Sequence, residues 1–232
     1  MATLLLRLAA PLQSWGADSK FETRKTNREP TKSGVIGLLA AALGLRRDDT
    51  QALEELAKLK FGVRVEREGR LLVDFHTAIT AKGTSYITYR HYLQDAVFLA
   101  GFESEDEELM SKLAEALTHP KYPLFLGRRS CPPTLPLFLG IREKTLSEAL
   151  EQEADLLNYY KNGIKTQPEG MSKRRILIDA SSQDQAIGLQ QDVPLSYSPL
   201  HRQYGYRSVK DYMANISTEA QNATEHDPFT EL

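Results

Sequence analysis

The residues between positions 23 and 34 carry the chemistry that binds phosphate. The candidate phosphate ligands in this segment are three of its cations and one of its hydroxyls, namely Arg24, Arg28, Lys32 and Ser33. It precedes an apolar run that predicts a helix, and the free N–H groups and dipole of a helix N-terminus favour an anion. These side chains could therefore clamp RNA phosphates. A solvated basic loop followed by an ordinary helix cap explains the same residues equally well.

A second cationic segment lies in the middle of the chain, at Gly127-Arg128-Arg129-Ser130-Cys131-Pro132. Its two adjacent arginines lie between a glycine and a proline that restrict the backbone. A guanidinium binds phosphate bidentately or stacks on a base, so Arg128, Arg129 and Ser130 are candidate RNA contacts. The alternative is a surface turn in which one arginine forms a salt bridge. We interpret Cys131 as a packing residue.

The segment Thr80–Tyr92 breaks the surrounding pattern because it is polar and basic yet rich in tyrosine. Its candidate contacts are Lys82, Tyr86, Tyr89 and Arg90. Aromatic faces combined with cations are what single-stranded nucleic acid requires. Tyrosines on an exposed excursion equally suit a protein interface, where they are enriched, and both interpretations stay open.

The chain shows no pattern of a catalytic, metal or cofactor site. Its histidines are scattered without metal-ligand spacing, at His76, His91, His119, His201 and His226. A metal-independent ribonuclease would use a histidine as general acid or base, but a lone histidine is more often structural. No Walker loop, dinucleotide fingerprint or GxSxG is present. We therefore expect no catalytic residue, no metal and no cofactor.

Composition indicates a cytoplasmic protein whose local charge differs from its total. The chain has 232 residues, one cysteine and a formal net charge of −2, so an intrachain disulfide is excluded and a reducing compartment is expected. No apolar stretch approaches the roughly 20 residues of a membrane helix. Four acids and no Lys or Arg follow Ser217, which leaves the rest of the chain net positive. Local charge governs contact with phosphates.

Periodicity and capping residues predict strand, helix, strand, strand and helix along the first half of the chain. The chain begins with a strand to about Ala9, followed by a helix capped by Thr31 or Ser33 and ended by Gly44. A short helix capped by Asp48 or Asp49 comes next, and then a hairpin of Phe61–Val65 and Leu71–Phe75 around Glu68-Gly69. A strand over Ala96–Phe102 leads to a helix that begins with a capping box at Ser104–Glu107.

One more strand, at Pro136–Gly140, completes an α+β fold with a βαββαβ, ferredoxin-like core, the RRM-like arrangement. A helix near Leu146–Leu157 and strands at Arg174–Asp179 and Ile187–Leu195 predict a smaller β-rich C-terminal part. We therefore divide the chain into a core at 1–145 with an excursion at about 80–92, a C-terminal part at 146–216, and an acidic flexible tail or linker at 217–232.

Several motifs in this order resemble the CasD family, a group of subunits of type I-E CRISPR surveillance complexes (Cascade). They are Leu-Arg-Leu-Ala at 6–9, Pro11–Gly16 with its Gln-x-Trp-Gly, Pro30–Gly34 leading into Gly37–Leu39, Leu43-Gly44 with Arg47–Thr50, and Leu126–Pro132 followed by Pro136–Gly140. The resemblance covers roughly residues 3–145 and is loose beyond them.

This resemblance implies a ferredoxin-like RNA-binding palm of the RAMP superfamily with an inserted thumb at Thr80–Tyr92, which is short for the family. It also implies a subunit that caps the 5′ handle of the crRNA and contacts the first backbone subunit and the large subunit in antiviral defence. Target DNA would be reached through the complex. The matched Arg47 joins the candidate RNA contacts on this ground alone.

Three functions stay open at this point. The first is a non-catalytic RNA-capping subunit, which the scattered histidines favour. The second is a metal-independent endoribonuclease that processes pre-crRNA, as the equivalent subunit of type I-C systems does, and the third is a purely protein–protein scaffold. We also expect that the acidic tail leads, in a longer natural product, to a further module such as an effector nuclease.

Overall fold

The structure is a computed structural model that describes residues 1–16, 22–81, 83–158, 171–180, 188–198 and 202–217. Lys82, His201, His226 and the predicted tail beyond Ser217 lie outside the described residues. The strands are β1 (Ala2–Ala9), β2 (Leu12–Gln13), β3 (Trp15–Gly16), β4 (Thr23–Arg24), β5 (Thr26–Asn27), β6 (Lys60–Arg67), β7 (Arg70–Ile79), β8 (Ser85–Gln94), β9 (Val97–Ser104), β10 (Phe138–Arg142), β11 (Met171–Asp179), β12 (Gly188–Ser196) and β13 (Gln203–Ser217). The helices are α1 (Lys32–Leu43), α2 (Thr50–Lys58), α3 (Glu107–Thr118) and α4 (Leu146–Gln152).

A seven-stranded sheet in the order β10-β1-β9-β6-β11-β13-β12 forms the centre of this mixed α/β structure. Each neighbouring pair in it is antiparallel. Leu4, Leu6 and Leu8 face one apolar cluster, shared with α1, α2 and α3, while Leu5 and Ala9 face a second, shared with α4. Because β1 is covered on both faces, its sequence is apolar apart from the buried Thr3 and Arg7, where a half-exposed strand would alternate.

The helix ends follow the predicted capping chemistry at α1 and depart from it at α3. The Thr31 hydroxyl accepts a first-turn N–H at 3.2 Å, and Gly44 ends α1 with a φ of 78°, a conformation that favours glycine. The predicted capping box at Ser104–Glu107 is wrong, because Asp106 is the residue that accepts the first-turn N–H, at 2.9 Å. The Ser104 hydroxyl accepts from the Asp106 main chain.

The predicted hairpin between Phe61–Val65 and Leu71–Phe75 is also wrong. β6 lies in the large sheet between β9 and β11, whereas β7 pairs with β8. The two strands diverge at Gly69, which has a φ of 76°. Alternation marks both strands without specifying their partners. The excursion predicted at Thr80–Tyr92 covers the turn and most of β8 in a longer structure, the β7–β8 hairpin.

The C-terminal strands extend the sheet that β1, β6, β9 and β10 begin. β11 pairs with β6 on one side and with β13 on the other, and β12 forms the edge. Strands were expected near β11 and β12, but β13 has no predicted counterpart. Its 15 residues bury only Val209 and Ile216, so no apolar period indicates a strand there. The N-terminal loops and the C-terminal strands consequently meet on one side of the molecule.

Candidate nucleic-acid interface

The two segments first singled out for their phosphate chemistry lie against each other. The Ser14 N–H donates to the Leu126 carbonyl at 3.1 Å, which joins the end of β2 to the start of the arginine loop. Gly127 follows with a φ of 84°, and a Cβ at this position would lie 1.6 Å from the Ser14 carbonyl oxygen. Only glycine therefore fits where the arginine loop turns past Ser14.

Buried hydrogen bonds of the Gln-x-Trp-Gly motif hold the junction between Ser14 and the arginine loop in place. The buried Gln13 amide donates to the Leu8 and Ala96 carbonyls at 3.1 and 2.8 Å, and its oxygen accepts from the indole of Trp15 at 3.1 Å. The Trp15 main-chain N–H donates to the Thr26 hydroxyl at 2.8 Å. These contacts satisfy each buried polar group and fix the basic loop relative to the sheet, so the motif positions the interface.

Arg128 connects three of the predicted segments. Its Nη2 donates to the Arg24 carbonyl at 2.9 Å, and its guanidinium carbon lies 4.6 Å from the centre of the buried Tyr92 ring, a cation–π distance. Arg24 on β4 aligns with Arg90 on β8 in a short parallel pairing. The structure thus brings Arg24, Arg90 and Arg128 together from three distant parts of the chain.

Two N–H groups in this arginine cluster have no partner within the described ranges. They are Nη1 of Arg128 and Nε of Arg90, both inaccessible to solvent. A buried donor without an acceptor is costly. The arginine cluster, defined as Arg24, Arg90 and Arg128, supplies the guanidinium groups that bind phosphate in proteins.

The rest of the arginine loop divides into exposed and buried residues. Arg129 and Ser130 are exposed beside the cluster, where they can reach a ligand. Cys131 is 1% exposed, and burial raises the pKa of its thiol, so it stays protonated and is a poor nucleophile. Its assignment as a packing residue fits this environment.

Lys32 and the main chain of Ser33 are bound by protein groups. The buried Lys32 ammonium donates to Asp179 Oδ2 at 2.9 Å, and its main-chain N–H donates to Asp192 Oδ2 at 2.8 Å. The Ser33 carbonyl accepts from the Tyr197 hydroxyl at 2.5 Å, and burial raises the pKa of this phenol, so it remains a donor. The N-terminus of α1, predicted to attract a phosphate, thus holds a carboxylate that no local sequence signal reveals.

The remaining candidates are dispersed. Arg28 is exposed on the basic loop, while Arg47 is exposed beyond the C-terminal end of α1, roughly 18 Å of helix away. Tyr86 and Tyr89 are 43% and 49% exposed and project from opposite faces of the β7–β8 hairpin, because they are three residues apart in a strand. Tyr86 shares its face with Arg90. Arg47 is therefore not part of the cluster.

Sequence reasoning missed the C-terminal contribution to this side of the molecule. Arg202 and Tyr204 line a groove together with Lys25 and Arg28. Within the described part of the chain, no group of three His, Cys, Asp or Glu side chains could hold a metal ion. Among the described helices, none combines the length and the apolar character needed to cross a membrane.

Comparison with known proteins places these features in a family. A family model described as CRISPR-associated protein (Cas_Cas5) matches residues 3–210. The chain is 39% identical over 175 residues to the CRISPR system Cascade subunit CasD of Escherichia coli (strain K12), an alignment that spans 67% of this chain and 76% of the relative.

Two solved structures are similar over almost the whole chain. One, titled "CRISPR RNA-guided surveillance complex", has a TM-score of 0.73 and 31% identity and covers 93% of this chain and 91% of its own. The other, titled "Crystal structure of Cas protein", has a TM-score of 0.70 and 38% identity and covers 91% and 94%. The arginine loop and the Gln-x-Trp-Gly junction thus occur in a chain that belongs to the CRISPR-associated Cas5 protein family.

Proposed function

We propose that this chain is a subunit of a type I-E Cascade complex, which binds and caps the 5′ handle of the crRNA in the cytoplasm without cutting it. Its similarity to a relative named as a Cascade subunit and to a chain of an RNA-guided surveillance complex supports the proposal. In such a complex the subunit serves antiviral defence, and target DNA is met through the assembled particle.

The observation that carries this proposal is the convergence of Arg24, Arg90 and Arg128. Throughout the described ranges, no carboxylate forms a salt bridge with any of the three, and two of their buried N–H groups have no acceptor. Guanidinium groups bind phosphate oxygens with bidentate geometry, so this cluster suits a phosphate of the RNA backbone. The exposed Arg129 and Arg28 extend the same positive surface on either side.

We also propose that the fold is a ferredoxin-like palm with a thumb. The order β10-β1-β9-β6, with α1 between β1 and β6 and α3 between β9 and β10, supports a ferredoxin-like palm extended by the C-terminal strands. The β7–β8 hairpin would be the thumb.

Contact with neighbouring subunits is assigned to one face of that thumb. Five of its side chains share a face by the strand register and are 49% to 72% exposed, namely Val73, Phe75, Ile79, Ile87 and Tyr89. Contiguous exposed apolar surface of this kind marks an interface, which supports docking against a backbone or large subunit. Tyr86 and Arg90, on the other face, are the candidates for RNA contact.

A processing endoribonuclease is kept as the second candidate because of one specific arrangement. His76 Nε2 lies 2.8 Å from Asp74 Oδ2, on the hairpin face that Arg90 shares. A histidine next to a carboxylate, on the same face as a candidate phosphate site, supplies the residue types of a general base.

Two measurements test the proposal. The chain is co-purified with the products of the neighbouring CRISPR-associated genes, and the bound RNA is sequenced; RNAs that share one repeat-derived 5′ end are expected. Purified chain is then incubated with labelled repeat RNA in a chelator. Specific cleavage that His76→Ala abolishes would establish the endoribonuclease and overturn the non-catalytic assignment.

A further inference from the structure

A groove of about 1240 Å³ separates the basic loop from the C-terminal strands. Lys25 and Arg28 lie on one wall, and Arg202 and Tyr204 lie on the other. Pockets for small molecules occupy roughly 300–1000 Å³ and are mostly apolar. The larger size and the charged lining of this groove fit a segment of a polymer better than a small ligand.

The electrostatics of the groove favour an anionic polymer. Lys25, Arg28 and Arg202 are exposed, and no acidic residue in the described part of the chain pairs with them. The two acids in the lining are already engaged, because Glu29 binds Arg175 at 2.5 Å and Asp192 binds a buried arginine of β13 at 2.6 Å.

Arg175 is shared between Glu29 and Asp211, so this triad keeps one negative charge. The three unpaired cations of the groove outnumber it. The groove therefore has a net positive lining, although the chain as a whole is formally negative.

Tyr204 adds an aromatic side chain to the groove, and its main chain is held by β12. Its main chain lies opposite Pro194 in the β12–β13 register, and its carbonyl accepts from the Gln191 amide at 3.3 Å. The ring is half-buried. An aromatic face next to cations is the combination on which single-stranded nucleic acid stacks.

We infer that Arg202 and Tyr204 form the second wall of the RNA site, with Arg202 binding a phosphate and Tyr204 stacking on a base of a single-stranded segment. This inference rests on the proposed handle-binding function and extends the site into the C-terminal strands. It also explains how RNA is held although the N-terminus of α1 is closed by Asp192, since the phosphates then lie along side-chain cations.

The test compares Arg202→Ala and Tyr204→Ala with matched controls in the full chain. The probe is a labelled single-stranded RNA that carries the repeat-derived 5′ segment from the adjoining CRISPR locus. Arg202→Ala is expected to reduce the slope of log Kobs against log salt by about 0.7, the value for one phosphate contact on a single strand. Tyr204→Ala is expected to weaken binding about fivefold or more with an unchanged slope.

Two control substitutions remove the same kinds of side chain, an aromatic ring and a cation, from positions outside the groove. Tyr206→Ala removes a 67% exposed ring from the same strand, and Lys112→Ala removes an exposed cation from α3. Both are expected to bind within about twofold of the unchanged chain. Melting curves followed by circular dichroism check that each variant is folded.

The outcomes separate this inference from the proposed function. If Arg28→Ala weakens binding while Arg202→Ala and Tyr204→Ala bind like the unchanged chain, the second wall is wrong and handle binding stands. If the unchanged chain binds the handle RNA no better than an unrelated RNA, both are wrong. Should Tyr204→Ala fail to fold, photo-crosslinking of 4-thiouridine-labelled RNA to the unchanged chain decides; a crosslink at Tyr204 is expected, and its absence overturns the inference.

Discussion

Gly127 passes Ser14 so closely that a methyl group on the glycine would lie 1.6 Å from the serine carbonyl oxygen. This distance is far below any van der Waals contact, and the obstacle is main chain, which cannot rotate away. The contact therefore fixes where the arginine loop leaves the sheet, and with it the position of Arg128 over Tyr92.

We predict that Gly127→Ala destabilises the protein and displaces Arg128. Gly83→Ala is the matched control, because Gly83 has nearly the same φ, 83° against 84°, but open space around its Cα. The control is expected to lose about 1 kcal/mol of unfolding free energy from backbone strain alone, and Gly127→Ala about 1–3 kcal/mol more from the clash. Urea unfolding measures both. Equal losses would contradict the close approach to Ser14.

A second prediction concerns the charge of the arginine loop. The double substitution Arg128→Ala with Arg129→Ala is expected to weaken binding to the handle RNA and to lower the salt slope by about 1.4, the value for two phosphate contacts on a single strand. Lys112→Ala serves as the control for lost charge alone. Binding is measured by fluorescence anisotropy over a salt series. Unchanged affinity and slope in the double variant would favour the scaffold function.

A third prediction concerns the buried ion pairs that join β11, β13 and α1. Asp179 accepts from Lys32 at 2.9 Å and from Arg207 at 2.6 Å. Asp179→Ala leaves both cations buried without this carboxylate, so we expect a loss of about 3–5 kcal/mol in the unfolding free energy. The control is Asp48→Ala, which breaks an ion pair of exposed partners and should cost less than about 1 kcal/mol. Similar losses for the two would refute the structural role of Asp179.

A fourth prediction separates stability from assembly on the β7–β8 hairpin. Phe75→Ser with Ile87→Ser changes two side chains that are 66% and 50% exposed, so each should alter the unfolding free energy by less than about 0.5 kcal/mol. Co-purification with a neighbouring Cascade subunit should nevertheless be lost. Leu189→Ser, at a 72% exposed leucine on β12, is expected to leave assembly intact. Retained assembly in the double variant would remove the hairpin face from the interface.

Several elements were predicted from residues within them or next to them. Thr31 and Gly44 delimit α1 as expected, and the strand at Val97–Ser104 follows its alternation. The convergence of the two cationic segments was also anticipated as a possibility of the fold, and the Arg128–Arg24 contact provides it.

The remaining features depend on partners far away in sequence. Apolar residues do alternate in β6 and β7, but the choice of partner depends on contacts throughout the sheet. β6 pairs with β11, and β7 pairs with β8. The residues next to Lys32 in sequence predict a free cation. In the structure its buried ammonium donates to Asp179, a residue 147 positions away. The groove wall at Arg202 and Tyr204 was missed because β13 has no apolar period to mark it.

The place of β11 between β6 and β13 has a consequence for synthesis on the ribosome. When the first 145 residues have emerged, β6 has one edge unpaired, and the Phe61 N–H lacks its acceptor on Asp179. The positive end of α1 is also without Asp192. The nascent chain therefore cannot pair the free edge of β6 until β11 has left the exit tunnel, and the groove is complete only after β12 and β13 have followed it.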